Sequence, residues 1–157
     1  MNSYLSRCAK ILIERKLTIA FAESATAGRM ASEFALLPNA GKFLIGGIVC
    51  YDVNVKVEHL NVSRQMIAKF TPESAEVTRA MAKGLIDFVE ANLHVAITGL
   101  PASGGSETNE KPVGTMIICT FLNEKLLFEE QIVFKGEPEK IIEQTIKHTA
   151  KLLIKYL

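Results

Sequence analysis

The sequence has no tryptophan, only three cysteines and no excess of charge of either sign. Lysine and arginine total 18, aspartate and glutamate total 17, and the formal net charge is +1. Because no basic stripe is present to bind a phosphate backbone, nucleic acid is not an expected partner. No run approaches the roughly 20 apolar residues that span a bilayer, so we expect no membrane partner either.

The cysteines, Cys8, Cys50 and Cys119, are odd in number, far apart and surrounded by apolar residues. This pattern is typical of reduced core cysteines rather than of disulfide bridges or a zinc site. We therefore expect a reducing, cytoplasmic location. The stretch 1–16, MNSYLSRCAKILIERK, has charges between its apolar positions and no small-residue cleavage site. We interpret it as an amphipathic helix rather than as a signal peptide.

Helical and strand patterns of apolar residues alternate along the chain. A length of 157 residues with 48% hydrophobic content is enough for the core of one domain, which we expect over 1–157. The alternation predicts an α/β fold, a three-layer α/β/α sandwich with a mixed, mainly parallel sheet. Strands are predicted at 17–22, 43–51, 94–98, and as a hairpin at 116–121 and 126–134; helices are predicted at 1–16, 26–37, 52–59, from Thr71 and Pro72 to Phe88, and from Pro138 onwards.

Ligands of such folds bind at the carboxyl ends of strands, which selects 23–28, 51–56 and 98–114. Ser24 joins a predicted buried strand to a helix, so it is expected on a sharp turn beside the first helical amides. Such amides suit a phosphate or a developing oxyanion. Two interpretations stay open here: Ser24 is a nucleophile, or Ser24 or Thr26 merely caps the helix.

Lys56 is the candidate base for Ser24, provided that the fold brings the two together. A lysine partly removed from water loses its preference for the charged form and can then accept the serine proton. The alternative is a solvated surface lysine. The hydroxyl of Tyr51 could hold the amine or the substrate, or Tyr51 could be a half-buried aromatic at a strand end. The histidines have no spacing typical of a metal site or of a Ser-His-Asp triad.

The glycine-rich segment 99–105 follows the third predicted strand. Gly104 and Gly105 permit close backbone approach to an anionic group, and Lys111 would add positive charge for a phosphate. An ordinary flexible loop with an exposed lysine has the same composition, so both interpretations stay open.

Five short segments, in this order and at these spacings, carry a resemblance to a known family. They are AESATAG at 22–28, GGIVCYDVNVK at 46–56, TRAMAKG at 78–84, AITGLPASGG at 96–105 and KPVGT at 111–115. On these segments the chain resembles, over nearly its whole length, the stand-alone form of the CinA C-terminal domain family.

The resemblance implies hydrolysis of the carboxamide of nicotinamide mononucleotide (NMN) to nicotinic acid mononucleotide and ammonia, without metal or cofactor. By motif, the family's serine corresponds to Ser24, and its Tyr-x-x-x-x-Lys element gives Tyr51 and Lys56. Together with the apolar helices, the family also implies a homo-oligomer. The substrate-binding residues expected from the motifs and the loop patterns are Glu23, Thr26, Gly28, Thr98, Gly99, Gly104, Gly105 and Lys111.

The chain departs from the family pattern at two places. The family's usual Cys-Thr-Gly-Gly after the serine is Ala-Thr-Ala-Gly at 25–28, and we expect the methyl group of Ala27 to narrow the approach to the helix or to exclude a positive φ. The usual Gly-Ile-Ala-Gly-Pro-Gly-Gly is Gly-Leu-Pro-Ala-Ser-Gly-Gly at 99–105, so Pro101 and Ala102 remove an amide donor and some backbone freedom. These changes predict altered binding of phosphate or ribose.

Three functions follow from the sequence. The first is an NMN deamidase that acts through Ser24 and Lys56. The second is a catalytically impaired relative that binds a nucleotide or a protein, as the altered loops suggest. The third is an amidohydrolase with a different substrate.

Overall fold

Residues 3–157, which the computed structural model describes, fold into six α-helices and five strands. Met1 and Asn2 of the predicted first helix lie outside the described residues. In chain order the elements are α1 (Ser3–Glu14), β1 (Ile19–Glu23), α2 (Arg29–Ala35), a 3-10 turn (Ala40–Lys42), β2 (Leu44–Val49), α3 (Val53–Leu60), α4 (Arg64–Phe70), α5 (Ala75–Phe88), β3 (Leu93–Gly99), β4 (Thr115–Leu122), β5 (Lys125–Val133) and α6 (Pro138–Tyr156).

The five strands form one sheet in the order β2-β1-β3-β4-β5. β1 pairs in parallel with β2 and β3, whereas β4 is antiparallel to both β3 and β5. Four strands therefore run in one direction and only β4 opposes them, which confirms the mixed, mainly parallel sheet. The predicted hairpin is β4–β5. The sequence pattern required antiparallel neighbours only at this hairpin. The β3–β4 pair is antiparallel as well, because the loop at 100–114 returns the chain at the end of the sheet where β3 finishes.

Helices cover both faces of the sheet, as predicted. Alternate side chains of β1 point to opposite faces, as the two-residue period of a strand requires. Ile19 and Phe21 pack in the core under α1, α2 and α6. The smaller Ala20 and Ala22 pack in the core under α3, α4 and α5. The three-layer α/β/α arrangement is therefore confirmed.

The start of the long helix α5 was predicted wrongly. It begins at Ala75, where the Ser74 hydroxyl accepts a hydrogen bond from the Val77 amide, rather than at Thr71 and the proline after it. Thr71 instead ends α4, a helix that the sequence pattern did not predict, with φ at +72°. Phe88, placed on the buried stripe of α5, is 46% exposed.

The final helix begins at Pro138 as predicted, and Ile146 and Leu153 are buried beneath it. Ile142 and Leu157 are only partly buried against the same core. All three cysteines are buried, and none forms a disulfide. Within residues 3–157, no helix combines the length and the apolar character that crossing a bilayer requires.

Candidate active site

The carboxyl ends of β1, β2 and β3 meet at one edge of the sheet. Since β1 lies between β2 and β3, the chain leaves β1 and β2 toward opposite faces, and a crevice forms outside the strand ends. Ser24 follows β1, Tyr51 lies just beyond β2 and Gly99 ends β3. All three residues line one cavity of about 270 Å³. The structure therefore brings the three predicted segments together.

Ser24 and Lys56 lie within hydrogen-bond distance. The Lys56 Nζ is 3.1 Å from the Ser24 Oγ. The backbone of Ser24 is fixed by a bond from its amide to the Ile97 carbonyl at 3.0 Å, which extends the β1–β3 pairing by one residue. Lys56 projects from α3, whose first turn is held by the Asp52 carboxylate accepting from the Asn54 amide. A strand extension and a capped helix thus place the two groups.

Lys56 is almost completely buried, with 1% of its surface exposed. Burial holds the pKa of its amine below the ordinary value of 10.5, and the nearby Cys50, Glu73 and Asp52 only partly oppose this shift. The interpretation of Lys56 as a solvated surface lysine is therefore wrong.

The Lys56 amine has three oxygen neighbours, which suit both a charged amine with three N–H donors and a neutral amine. Besides Ser24, the Nζ contacts the carbonyl oxygens of Cys50 at 2.7 Å and Tyr51 at 3.3 Å. A neutral amine has two N–H donors and one lone pair, and the two carbonyls can only accept. The Ser24 hydroxyl is the one neighbour able to donate to that lone pair.

Glu23 organises the turn that carries Ser24. Its carboxylate accepts from the amides of Gly28 at 3.0 Å, Met30 at 2.9 Å and Ala31 at 2.8 Å, and from the Thr26 hydroxyl at 2.6 Å. The amides at the start of α2, which we expected to face a ligand, are thus bound by this side chain. Glu23 and Thr26, each 1% exposed, bond to each other instead of facing the cavity.

The turn between β1 and α2 is longer than predicted, and α2 begins at Arg29 instead of near Thr26. Gly28 is the N-cap, with φ at +92° and no side-chain cap, so neither Ser24 nor Thr26 caps the helix. Ala27 has φ at +48°, so its methyl group does not exclude a positive φ, although that conformation is unfavourable for alanine.

Tyr51 and Thr98 differ from their predicted placements. The Tyr51 side chain is 72% exposed rather than half-buried, and the contact of this residue with Lys56 is through its carbonyl oxygen rather than its hydroxyl. Thr98 is fully buried, and its hydroxyl lies 2.7 Å from that of Thr78 on α5. Gly99 lines the cavity, and a Cβ there would lie only 2.4 Å from the Met116 sulfur and 2.7 Å from the Thr115 carbonyl oxygen.

In the loop after β3, two backbone amides bind a carboxylate of the same loop. Gly104 and Gly105 line the cavity, and their amides donate to the Glu107 carboxylate at 2.8 and 2.9 Å. These bonds lower the pKa of Glu107, with the Gly104 amide as the largest contribution. The two amides predicted to bind a ligand anion are therefore bound to an anion of the chain itself.

Lys111, predicted to add charge for a phosphate, instead forms hydrogen bonds that join two loops. Its Nζ donates to the Thr71 hydroxyl at 2.6 Å, the Glu73 carbonyl at 2.7 Å and the Ser106 hydroxyl at 3.0 Å. These three bonds use every N–H of an ammonium group.

A family model, the CinA C-terminal domain, matches residues 1–157. The chain belongs to the CinA C-terminal domain family. A CinA-like protein of Desulfotalea psychrophila is 34% identical over 146 residues, and one of Thermosipho melanesiensis is 35% identical over 141 residues. These matches cover 93% and 89% of this CinA domain but only 35% of each relative. The chain thus spans about a third of the length of these curated relatives.

Solved structures share the fold. A competence-damaged protein (CinA) superfamily protein from Escherichia coli superposes with a TM-score of 0.92 at 26% identity, over 99% of this chain and 90% of that one. A competence/damage inducible protein from Agrobacterium tumefaciens gives the same TM-score at 24% identity, over 99% and 94% of the two chains. The α/β fold of this CinA domain is therefore that of its superfamily.

Sequence reasoning missed two acidic residues of this CinA domain. Glu73 lines the cavity and accepts a hydrogen bond from the Ser106 hydroxyl. Its position just before the helix cap Ser74 carries no periodic signal that would single it out. Glu107 follows the Gly-Gly pair closely enough for its side chain to reach back to both amides. A search for such a nearby acceptor could have found it.

A larger groove, of about 500 Å³, lies away from Ser24 between α2 and α6. Its charged side chains largely pair with one another, with Arg29 close to Glu33 and Glu143, and Lys140 also close to Glu143. These exposed ion pairs are typical of a solvated surface. The Ser24 cavity is therefore the candidate active site.

Proposed function

We propose that this CinA domain is an amidohydrolase that cleaves the carboxamide of NMN to give nicotinic acid mononucleotide and ammonia. The observation that carries the proposal is the 3.1 Å separation of the Ser24 Oγ and the Lys56 Nζ at the wall of a cavity. A hydroxyl beside an uncharged amine is the arrangement that generates an alkoxide-like nucleophile near neutral pH.

In the first half of the reaction, the Ser24 proton passes to the lone pair of the Lys56 amine as the Ser24 oxygen attacks the amide carbon. The resulting tetrahedral intermediate carries a negative oxygen. When it collapses, the carbon–nitrogen bond breaks, and the leaving nitrogen takes the proton from the Lys56 ammonium and departs as ammonia. An ester between Ser24 and the substrate acyl group remains.

We assign the amide of Ala25 as a donor to the negative oxygen of that intermediate. It follows the nucleophile directly and belongs to a residue that lines the cavity. Among residues 3–157 this amide has no hydrogen-bond partner. An amide at this position stabilises the oxyanion in other serine hydrolases. Glu23 supports this role because it holds the turn from the buried side.

In the second half, a water molecule gives a proton to the Lys56 amine and attacks the ester carbon. The bond to Ser24 breaks, and the Ser24 oxygen recovers its proton from Lys56. The product is released as the carboxylic acid, which gives its proton to solvent to become the carboxylate, and the amine is again neutral. Within the site every proton is carried between the substrate, the water and these two side chains, and the acid proton of the product passes to solvent.

The amides of Gly104 and Gly105 are the groups that we propose for the phosphate of NMN. They already hold the Glu107 carboxylate, which supports their capacity to bind an anion. Glu107 would have to move away when phosphate binds. Lys111 contributes by fixing the loop rather than by direct contact.

The contact of the Glu107 carboxylate with the Gly104 and Gly105 amides favours a second candidate function, in which the protein binds a ligand without turnover. If Glu107 stays on the loop amides, phosphate binding is blocked and NMN cannot be held correctly beside Ser24. A third candidate, hydrolysis of an amide without a phosphate, would need no displacement of Glu107.

The test measures ammonia release from NMN by the purified chain. We expect turnover that Ser24→Ala abolishes and that Ser32→Ala, a matched change on the exposed side of α2, leaves intact. Equal activity in Ser24→Ala would remove the nucleophile assignment. Calorimetric binding of NMN without ammonia release would favour the binding function, and release only from carboxamides lacking phosphate would favour the third.

A cytoplasmic homo-oligomer is also part of the proposal. Ile45 and Val49 on the edge strand β2, at 47% and 49% exposure, support an interface between copies of the chain. Light scattering of the purified protein would test it, since a monomeric mass would contradict an oligomer.

A further inference from the structure

Glu73 places a carboxylate at the wall of the candidate active site. Its Oε2 accepts a hydrogen bond from the Ser106 hydroxyl, which fixes the side chain. Its Oε1 has no hydrogen-bond partner within residues 3–157, and it lies 3.8 Å from the position that a Cβ on Gly105 would take. One oxygen is therefore anchored while the other is available to a ligand.

The charge of Glu73 is not cancelled by the other side chains that line the cavity. Among them it is the only one with a formal charge at neutral pH. Lys111 directs its three donors to the Thr71 hydroxyl, the Glu73 backbone carbonyl and the Ser106 hydroxyl, so it does not bond the Glu73 carboxylate directly. Lys56 lies behind Ser24 and is uncharged when it acts as a base. The Lys111 ammonium offsets part of the Glu73 charge through the Ser106 hydroxyl that both contact. The Glu107 carboxylate, 3.7 Å from the same Gly105 Cβ position, adds a second negative charge, so this part of the cavity wall is net negative.

We propose that Glu73 is a specificity-determining residue, which makes the cavity select carboxamides that carry a positive charge close to the amide over neutral carboxamides of the same shape. The inference rests on the proposed function, because it assumes that the cleaved amide occupies this cavity. The pyridinium ring of NMN carries such a charge. A carboxylate a few ångströms from a cationic ring, partly shielded from water, attracts it strongly enough to change affinity by about tenfold.

A second effect of the same carboxylate gives an independent readout. Glu73 is among the groups that oppose the lowering of the Lys56 pKa. Removing its charge should therefore lower the pKa of Lys56 further. A residue that only shaped the loop would not move this pKa.

The experiment compares NMN with its 1,4-dihydro form, which keeps the carboxamide, ribose and phosphate but has a neutral ring. Calorimetry on Ser24→Ala protein measures binding without turnover, with and without the added change Glu73→Gln. Gln keeps an oxygen that can accept from Ser106. Glu76→Gln, the same change at an exposed position in the first turn of α5, is the matched control.

We expect the preference for NMN over the dihydro form to fall by about tenfold in Glu73→Gln and to stay unchanged in Glu76→Gln. If the protein that retains Ser24 is active, adding Glu73→Gln to it should also shift the midpoint of its pH–rate profile to lower pH. Equal losses for both ligands, an unchanged preference, or no binding of either ligand would overturn the role of Glu73. Absence of ammonia release from NMN with the preference intact would instead count against the proposed function alone.

Discussion

The Ser24 Oγ and the Lys56 Nζ are 3.1 Å apart, although 32 residues separate them along the chain. The contact joins the end of β1 to the first turns of α3. Two backbone carbonyls accept from the same amine, which directs its remaining bonding position toward the hydroxyl. The consequences of this arrangement can be measured without a ligand-bound structure.

The reaction rate should depend on pH through Lys56. Since the amine must be neutral to accept the Ser24 proton, kcat/KM should rise as pH rises through the lowered pKa of Lys56, with a midpoint below 10.5. Lys56→Arg, which stays charged, should be inactive across the range. A midpoint at or above the ordinary lysine value would contradict the assignment of Lys56 as base.

The lowered pKa of Lys56 should also make the free energy of unfolding depend on pH, in a direction that can be stated. The unfolded lysine binds its proton more tightly than the buried one, so the unfolded state holds more protons at any pH between the lowered pKa and 10.5. Within that window the free energy of unfolding of the wild type should rise with pH relative to that of Lys56→Met. Urea denaturation at several pH values measures the difference, and parallel curves would be inconsistent with a shifted pKa.

Glu23→Gln should destabilise the fold by about 2 kcal/mol, because charge-assisted bonds from the α2 amides are weakened and an amide group is placed where only acceptors fit. The matched change Glu58→Gln, at an exposed site on α3, should alter stability by less than about 0.5 kcal/mol. Thermal unfolding of both variants checks this. Similar melting temperatures would mean that the Glu23 carboxylate is dispensable to the turn.

Ala27→Gly should stabilise the protein by about 1 kcal/mol. Ala27 is exposed and has φ at +48°, a conformation in which glycine avoids the clash of the Cβ. Ala31→Gly, within α2, should instead destabilise by a similar amount, since glycine weakens a helix interior. Denaturant unfolding compares the two, and a loss of stability in Ala27→Gly would show that the turn relaxes without strain.

Glu107→Gln should strengthen the binding of phosphate-bearing ligands several-fold, because the Gly104 and Gly105 amides would hold a neutral competitor instead of a charged one. Calorimetric titration with NMN on Ser24→Ala protein measures the effect. Glu110→Gln, an exposed neighbour in the same loop, serves as the control. Unchanged affinity in Glu107→Gln would mean that phosphate does not bind at these amides.

The alternation of helical and strand patterns predicted the layers and the parallel strands β1, β2 and β3. It did not predict that β3 and β4 are antiparallel, because that depends on the path of the loop at 100–114. It misplaced the start of α5, since Thr71-Pro72 has the form of a helix start while Ser74 makes the actual cap. α4 was missed because it is only one to two turns long, with Ile67 as its buried residue.

The motif series singled out Ser24 and Lys56, and their side chains lie 3.1 Å apart because the segments after β1 and β2 meet at one edge of the sheet. Glu107 and Lys111 could not be assigned from residue type alone. A loop amide or a lysine amine is available to a ligand only if neighbouring groups of the chain do not already form hydrogen bonds with it. The path of the loop decides which neighbours can do so.

The Lys56 amine donates hydrogen bonds to the backbone carbonyl oxygens of residues 50 and 51. Every amino acid has such a carbonyl. Substitution of the side chains at those positions leaves these hydrogen bonds in place, provided that the backbone after β2 keeps its conformation. The two contacts therefore depend on the path of the backbone after β2 and not on the identity of the side chains at 50 and 51.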